Sequence, residues 1–170
     1  ILGEVSRLGT LTDDFLDLSS DRPLAGRRLD LGSLLQDAGR AGRAATGIAI
    51  DVSAAPGLHV RGDDGRLRQV LLNLVSNAAR AGAQTVRLQA TADAGRVRVD
   101  VTDDGPGIPE TIRPRLFEPF ATTREDGNGL VLAVSRRIVE RHGGTLSLLS
   151  AGPGATFSIE LPRLQIREEG

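Results

Sequence analysis

Apolar residues recur at helical spacing in some stretches of the chain and alternate with polar ones in others. In "ILGEVSRLGTLTDDFLDLSS", residues 1–20, Ile1, Val5, Leu8, Phe15 and Leu18 share a helical stripe, widened by Leu2, Leu11 and Leu16. This helix reads either as an appendage or as a terminal helix packed on the main domain. "SSDRPLAG" breaks the pattern with Pro23 and Gly26 and reads as a linker. Asp30 suits the N-cap of a helix over about 31–43. "GIAIDVSA" alternates as a strand does, and "GLHVRGD" offers it a short partner strand. "DDGRLRQVLLNLVSNAARAG" is strongly helical, capped by Asp63 or Asp64 and closed at Gly82. "TVRLQATAD" and "RVRVDVTDD" alternate cleanly across Ala94-Gly95, which predicts a hairpin. A short helix is expected near 109–116, then a loop through "LFEPFATTREDGNG". "LVLAVSRRIVERHGG" predicts a helix ending at Gly143-Gly144, and "TLSLLSAGPGATFSIELP" a second hairpin.

Three helices, largely antiparallel strands and no regular βαβ alternation predict an α/β (α+β) two-layer sandwich. Its mixed, largely antiparallel sheet should be covered on one face by about three helices. The expected organisation is a helix at 1–20, a linker at 21–29, a main domain at 30–162 and a tail at 163–170.

Composition removes several function classes. The 170 residues suit one domain, and 39% hydrophobic with 25% charged residues suits a globular core. A net charge of −1 argues against nucleic acid and anionic lipid as partners. The aromatics are Phe15, Phe117, Phe120 and Phe157, too few for a stacking platform along a single strand. Without Cys there are no disulfides and no thiolate metal sites. No apolar run approaches membrane-spanning length and no signal peptide is visible, so a cytoplasmic location without direct membrane contact is expected for this stretch, with a membrane anchor elsewhere in a full-length protein left open. The chain begins on Ile, and a piece of a longer protein is expected.

Three stretches carry candidate chemistry. Asn73 and Asn77 lie one turn apart on the long helix, beside Leu71, Leu72, Leu74, Val75 and Ala78. Their amides need partners, because burying them unpaired is costly. They read either as ordinary Asn bonded to backbone or water, or as neutral oxygen ligands suited to Mg²⁺. "VTDDGPGIPE", residues 101–110, follows a strand and lacks the alternating oxygens of a calcium loop. It reads as a plain turn or as a place where Gly105 and Gly107 admit a ligand to the backbone. A carboxylate there would accept the exocyclic amino group of adenine, whereas guanine offers a carbonyl at that ring position. "EDGNGLVLAVSRR" puts Gly127 and Gly129 before a helix, as a simple cap or as a phosphate-binding N-terminus, with Arg124 just upstream.

The order of these stretches is more specific than any one of them. The sequence resembles the catalytic, ATP-binding domain of sensor histidine kinases, within the Bergerat-fold ATPase and kinase superfamily. "LRQVLLNLVSNAARAG" resembles the family's N box and "DDGPGIP" its first glycine box. "LFEPFATT" resembles the F box, "GNGLVLAV" the second glycine box, and "GPGATFSIELP" the last glycine and threonine motif. The resemblance covers about residues 30–162, and residues 1–20 resemble the second helix of the dimerisation and phosphoacceptor domain.

The resemblance implies ATP and Mg²⁺ as cofactors. It implies Asp103 on the adenine amino group, with Gly105 and Gly107 allowing the approach, and Asn77 on Mg²⁺ with Asn73 beside it. Arg80 stands where the family often has Lys. Phe117 and Phe120 are expected to anchor a lid between Phe120 and Gly127. Gly127, Gly129, Leu130 and Ile108 join the nucleotide-binding set, Thr156 lies near the adenine side, and Arg124 reaches the terminal phosphate. Asn73, Asn77 and Arg124 are the implied catalytic set. The implied reaction moves the γ-phosphoryl group to a histidine outside this chain and on to a response regulator, within a homodimer of the full-length protein. His59 and His142 do not match the phosphoacceptor. Two residues depart from the pattern: Val131 replaces a usual Gly, and Ala81 a frequent aromatic. Asn73 stands where the superfamily's ATPases carry a Glu base, which favours a kinase. A serine kinase of the anti-sigma type and a degenerate nucleotide-binding pseudokinase are the alternatives.

Overall fold

A computed structural model describes residues 16, 24, 26–121 and 129–165. The expected helix at 1–20 therefore lies outside the described residues apart from Leu16, as do Arg124, Gly127 and most of the expected lid. The expected linker at 21–29 is described at 24 and 26–29, and it ends earlier than expected because Arg27–Asp30 already form a strand.

The chain builds β1 (Arg27–Asp30), α1 (Leu31–Thr46), β2 (Ala49–Ala54), β3 (His59–Gly62) and α2 (Asp64–Arg80). It continues with β4 (Thr85–Asp93), β5 (Arg96–Asp103), α3 (Val131–Arg141), β6 (Thr145–Ser150) and β7 (Thr156–Pro162). The main sheet has five strands in the order β2-β4-β5-β7-β6. Only β2 with β4 is parallel; the other pairs are antiparallel.

Alternation sets one face of this sheet against the helices. Leu88 pairs with Val101, Val101 with Phe157, and Phe157 with Leu148, giving an apolar row across four strands. Val86, Val97, Val99, Ile159 and Leu161 complete the buried face. Over it lie Leu34, Leu35 and Ala38 of α1, Val70, Leu74 and Val75 of α2, and Val134, Ile138 and Val139 of α3. The expected two-layer sandwich with three covering helices is what forms.

The caps follow the sequence signals. Asp30 accepts from the Ser33 N–H and Asp63 from the Arg66 N–H, as N-caps of α1 and α2. The first helix runs to Thr46 rather than 43. Ala44 and Ala45 favour helix, and Gly47, at φ 73°, supplies the left-handed stop.

Two expectations change. "GLHVRGD" does form a strand, but β3 pairs with β1 rather than with β2. The Pro56-Gly57 turn leads the chain away from the main sheet, while Ala55 still donates to Ala90. Strand β1 has no pattern to announce it, since only Leu29 of its four residues is buried. The short helix near 109–116 is reduced to turns and a 3₁₀ segment at Arg113–Arg115. Pro109 and Pro114 remove the N–H donors that a longer α-helix needs.

Candidate functional site

The site forms where the carboxyl end of β5 meets the ends of α2 and α3. Asp103 closes β5, and its Oδ1 accepts from the Gly105 N–H at 2.8 Å and the Ala155 N–H at 3.3 Å. Its Oδ2 has no hydrogen-bond partner among the described residues, and the side chain is only partly buried. The carboxylate is thus fixed by one oxygen and presents the other.

The neighbouring Asp104 does a different job. Its Oδ1 accepts from the N–H groups of Gln84 and Thr85 at 2.8 and 3.0 Å, and its Oδ2 from the Thr85 hydroxyl at 2.8 Å. These bonds, led by that from the Thr85 backbone, hold its carboxyl below the usual carboxylate range. They clamp the connection between α2 and β4 against the 103–107 loop. Ala83, buried in that connection, lies directly under Gly105.

The two glycines of this loop are spent on packing. A Cβ on Gly107, at φ 87°, would sit 2.3 Å from the Ala151 carbonyl oxygen. Beside it the Ile108 N–H donates to that same oxygen at 2.8 Å. A Cβ on Gly105 would meet Asp103 Oδ1 at 3.0 Å. The side of Gly107 that a Cβ would take is therefore filled by protein backbone, and that of Gly105 lies against the Asp103 carboxylate and Ala83.

Helices α2 and α3 run antiparallel. The Asn73 amide donates to the Ser135 hydroxyl at 3.3 Å, and Ser135 is fully buried. One turn further along α2, Asn77 comes level with Val131, the first residue of α3. Arg80 follows at the exposed end of α2. Leu130, preceding α3, offers no side-chain cap and is itself 2% exposed. Its place is in the core, so only its backbone faces the site.

The F-box aromatics separate. Phe117 meets Phe157 edge-on at 6.2 Å, with the Arg136 guanidinium 5.4 Å from its centroid. Phe120 is 67% exposed, at φ 67°, and its backbone N–H donates to the Gly129 carbonyl at 3.1 Å. Thr156 is the predicted site residue that the structure does not bring in. Its hydroxyl meets that of Thr102 at 3.1 Å on the sheet face away from the helices. Its neighbour Ala155 contacts Asp103 instead, through its backbone N–H. Sequence reasoning missed Ala155 and Asp104; the "GPGAT" and "DDG" motifs held the signal, but backbone donors carry no side-chain signature.

Donor chemistry fits a magnesium nucleotide. Among the described residues no group of three or more His, Cys, Asp or Glu is placed to hold a metal ion. A hard cation held here by amide oxygens would complete its shell with phosphate and water. The leading N–H groups of a helix such as α3 have no carbonyl partner within the helix, and such an end suits phosphate.

Fold and site together define a nucleotide-binding domain of the kinase and ATPase type. The family described as histidine kinase-, DNA gyrase B-, and HSP90-like ATPase matches residues 62–165, and the chain belongs to it. Within that family it is a histidine kinase ATP-binding catalytic domain. It is 38% identical to the sensor histidine kinase ZraS of Klebsiella oxytoca, over 94% of this chain and 36% of that protein. It is 36% identical to the sensory histidine kinase/phosphatase NtrB of Rhodobacter capsulatus, over 95% of this chain and 51% of that one. Full-length ShkA, solved in complex with AMPPNP, superposes with a TM-score of 0.80 at 33% identity, over 94% of this chain and 36% of that one. Histidine kinase ThkA, solved with the response regulator TrrA, gives 0.75 at 30% identity, over 96% and 49%. The chain thus spans a third to a half of these relatives' length.

Proposed function

We propose that this chain binds Mg²⁺·ATP between α2, the 103–107 loop and the start of α3, as the catalytic unit of a two-component sensor histidine kinase. The observation that carries this is the Asp103 carboxylate, pinned through Oδ1 and presenting Oδ2. That oxygen accepts the adenine amino group. Asn77, with the oxygen of Asn73 beside it, faces the phosphates and holds the ion, which neutralises phosphate charge when bound. The α3 N–H groups, Gly129 and, outside the described residues, Gly127 and Arg124 stabilise the transferring group. A neutral imidazole nitrogen of a phosphoacceptor domain outside this chain attacks the γ-phosphorus, the bond to the bridging oxygen breaks, and ADP leaves.

Asn73 gives its amide hydrogen to Ser135 and cannot serve as a base for water, so transfer rather than hydrolysis is the outcome. The response regulator's receiver domain takes the group next, as the resemblance to ThkA suggests, within a cytoplasmic part of a homodimer. No described helix is long and apolar enough to cross a membrane.

Calorimetric titration with ATP, with and without Mg²⁺, tests the reading on the parent chain and Asp103→Asn. Magnesium-dependent binding abolished by the substitution supports it. Equal binding by both chains refutes the adenine assignment. No binding by a folded parent chain would point to Val131 and the pseudokinase.

A further inference from the structure

His142 follows the last turn of α3, and neither of its ring nitrogens is idle. The Asp63 N–H donates to Nε2 at 3.0 Å, so Nε2 carries no proton. Nδ1 then bears the hydrogen and donates to the Ile138 carbonyl at 2.7 Å. That carbonyl is among the last four of α3, which have no intrahelical partner. One neutral tautomer therefore serves the end of α3 and the beginning of α2 together.

The α2 side explains why a residue from another helix is needed. Asp63 caps α2 by accepting from the Arg66 N–H. In a reciprocal capping box the third helical residue would return the favour by accepting the N–H of the cap. Here that residue is Arg66, whose guanidinium can donate hydrogen bonds but not accept one. The acceptor comes from His142 instead. Gly62 is cut to fit the ring: a Cβ there would lie 2.5 Å from Cδ2 and 2.8 Å from Nε2.

We infer that His142 is a positioning residue for the triphosphate, fixing the axial offset between α2 and α3. This rests on the nucleotide site proposed above. The strut sits at the opposite end of the helix pair from Asn77 and Val131, about 15 Å away along α3. The Asn73–Ser135 bond is a second tie between them. With both in place, the Asn77 amide and the start of α3 keep a constant separation. Without His142 the far end of the pair loses this polar tie, and the offset there is left to apolar packing, which resists sliding and tilting less specifically.

The test uses the 170-residue chain with His142→Leu, His142→Gln and Gly62→Ala. Gln keeps an acceptor near the position of Nε2, while Gly62→Ala displaces the ring without removing it. Mg²⁺·ATP affinity is measured by calorimetry at a temperature where each chain is folded. The ¹⁵N resonances of His142 are read in the nucleotide-free parent. We expect Nδ1 protonated and Nε2 bare. His142→Leu and Gly62→Ala should each lose about tenfold in affinity, and His142→Gln should stay within about threefold of the parent. The strut is overturned by a protonated Nε2, by parent-like affinity in His142→Leu, or by His142→Gln binding as poorly as Leu. A parent chain with the expected tautomer but no ATP binding would instead overturn the nucleotide reading, and the positioning role with it.

Discussion

Gly107 distinguishes two explanations of the first glycine box. If its purpose is to clear room for nucleotide, Gly107→Ala should spare the empty protein and harm only binding. The geometry around it favours the other explanation. An alanine Cβ would lie 2.3 Å from the Ala151 carbonyl oxygen and 3.2 Å from its carbon, both backbone atoms. Holding a non-glycine residue in the left-handed region costs about 1–2 kcal/mol. Relieving the contact means separating the loop from the β6–β7 turn, which breaks the Ile108 N–H bond to Ala151, worth about 1 kcal/mol net. The total is roughly 3 kcal/mol, or a fall in Tm of about 10 °C for a domain of this size. Thermal unfolding of the nucleotide-free chain, followed by far-UV circular dichroism, is the assay. A Tm within about 2 °C of the parent, with ATP binding lost, would refute the packing argument and return Gly107 to the ligand.

Other consequences follow from the same geometry. Because the Asp104 carboxyl is held below its usual range in the folded chain, its contribution is complete above that range and disappears as pH falls through the folded value. Urea unfolding between about pH 5 and 2 should show this acid loss in the parent and less of it in Asp104→Asn, which starts less stable; identical profiles would count against the clamp. Val131→Gly should raise Mg²⁺·ATP affinity several-fold by clearing the start of α3, at a small loss of helix stability; unchanged affinity in calorimetry would show that Val131 does not crowd the nucleotide. Phe157→Ala, at a position 3% exposed and against Phe117, should cost about 3–5 kcal/mol in denaturant unfolding.

Elements whose signal is local are legible in the sequence. The α2 helix has a cap, a periodic apolar face and a glycine stop within one stretch, and the β4–β5 hairpin has clean alternation across Ala94-Gly95. Strand β1 is not legible, because a four-residue strand with one buried side chain has no period to detect. The partner of β3 is not legible either, since pairing is decided by where the Pro56-Gly57 turn sends the chain. In the site, Asp103 can be found because a carboxylate at a strand end carries a chemical signature. The opposite placement of Thr156 cannot, because it depends on which parity of β7 faces the helices. Arg66 carries a subtler hint: an Asp cap followed by a residue that cannot accept asks for an acceptor from elsewhere.

The small β1–β3 pair has a topological consequence. Asp30 of β1 pairs with His59 of β3, and Leu164, just past β7, donates its N–H to the His59 carbonyl at 2.8 Å. The first strand of the domain and the residues following its last strand are thus stitched to one short segment. A circular permutation that joins Gln165 to Gly26 through a few glycines, and opens the chain at Ala94-Gly95, would keep every pairing except that hairpin turn. Torque reaching the domain along the backbone from either side is delivered to the same seam, and the seam ends at Gly62, beneath the His142 ring.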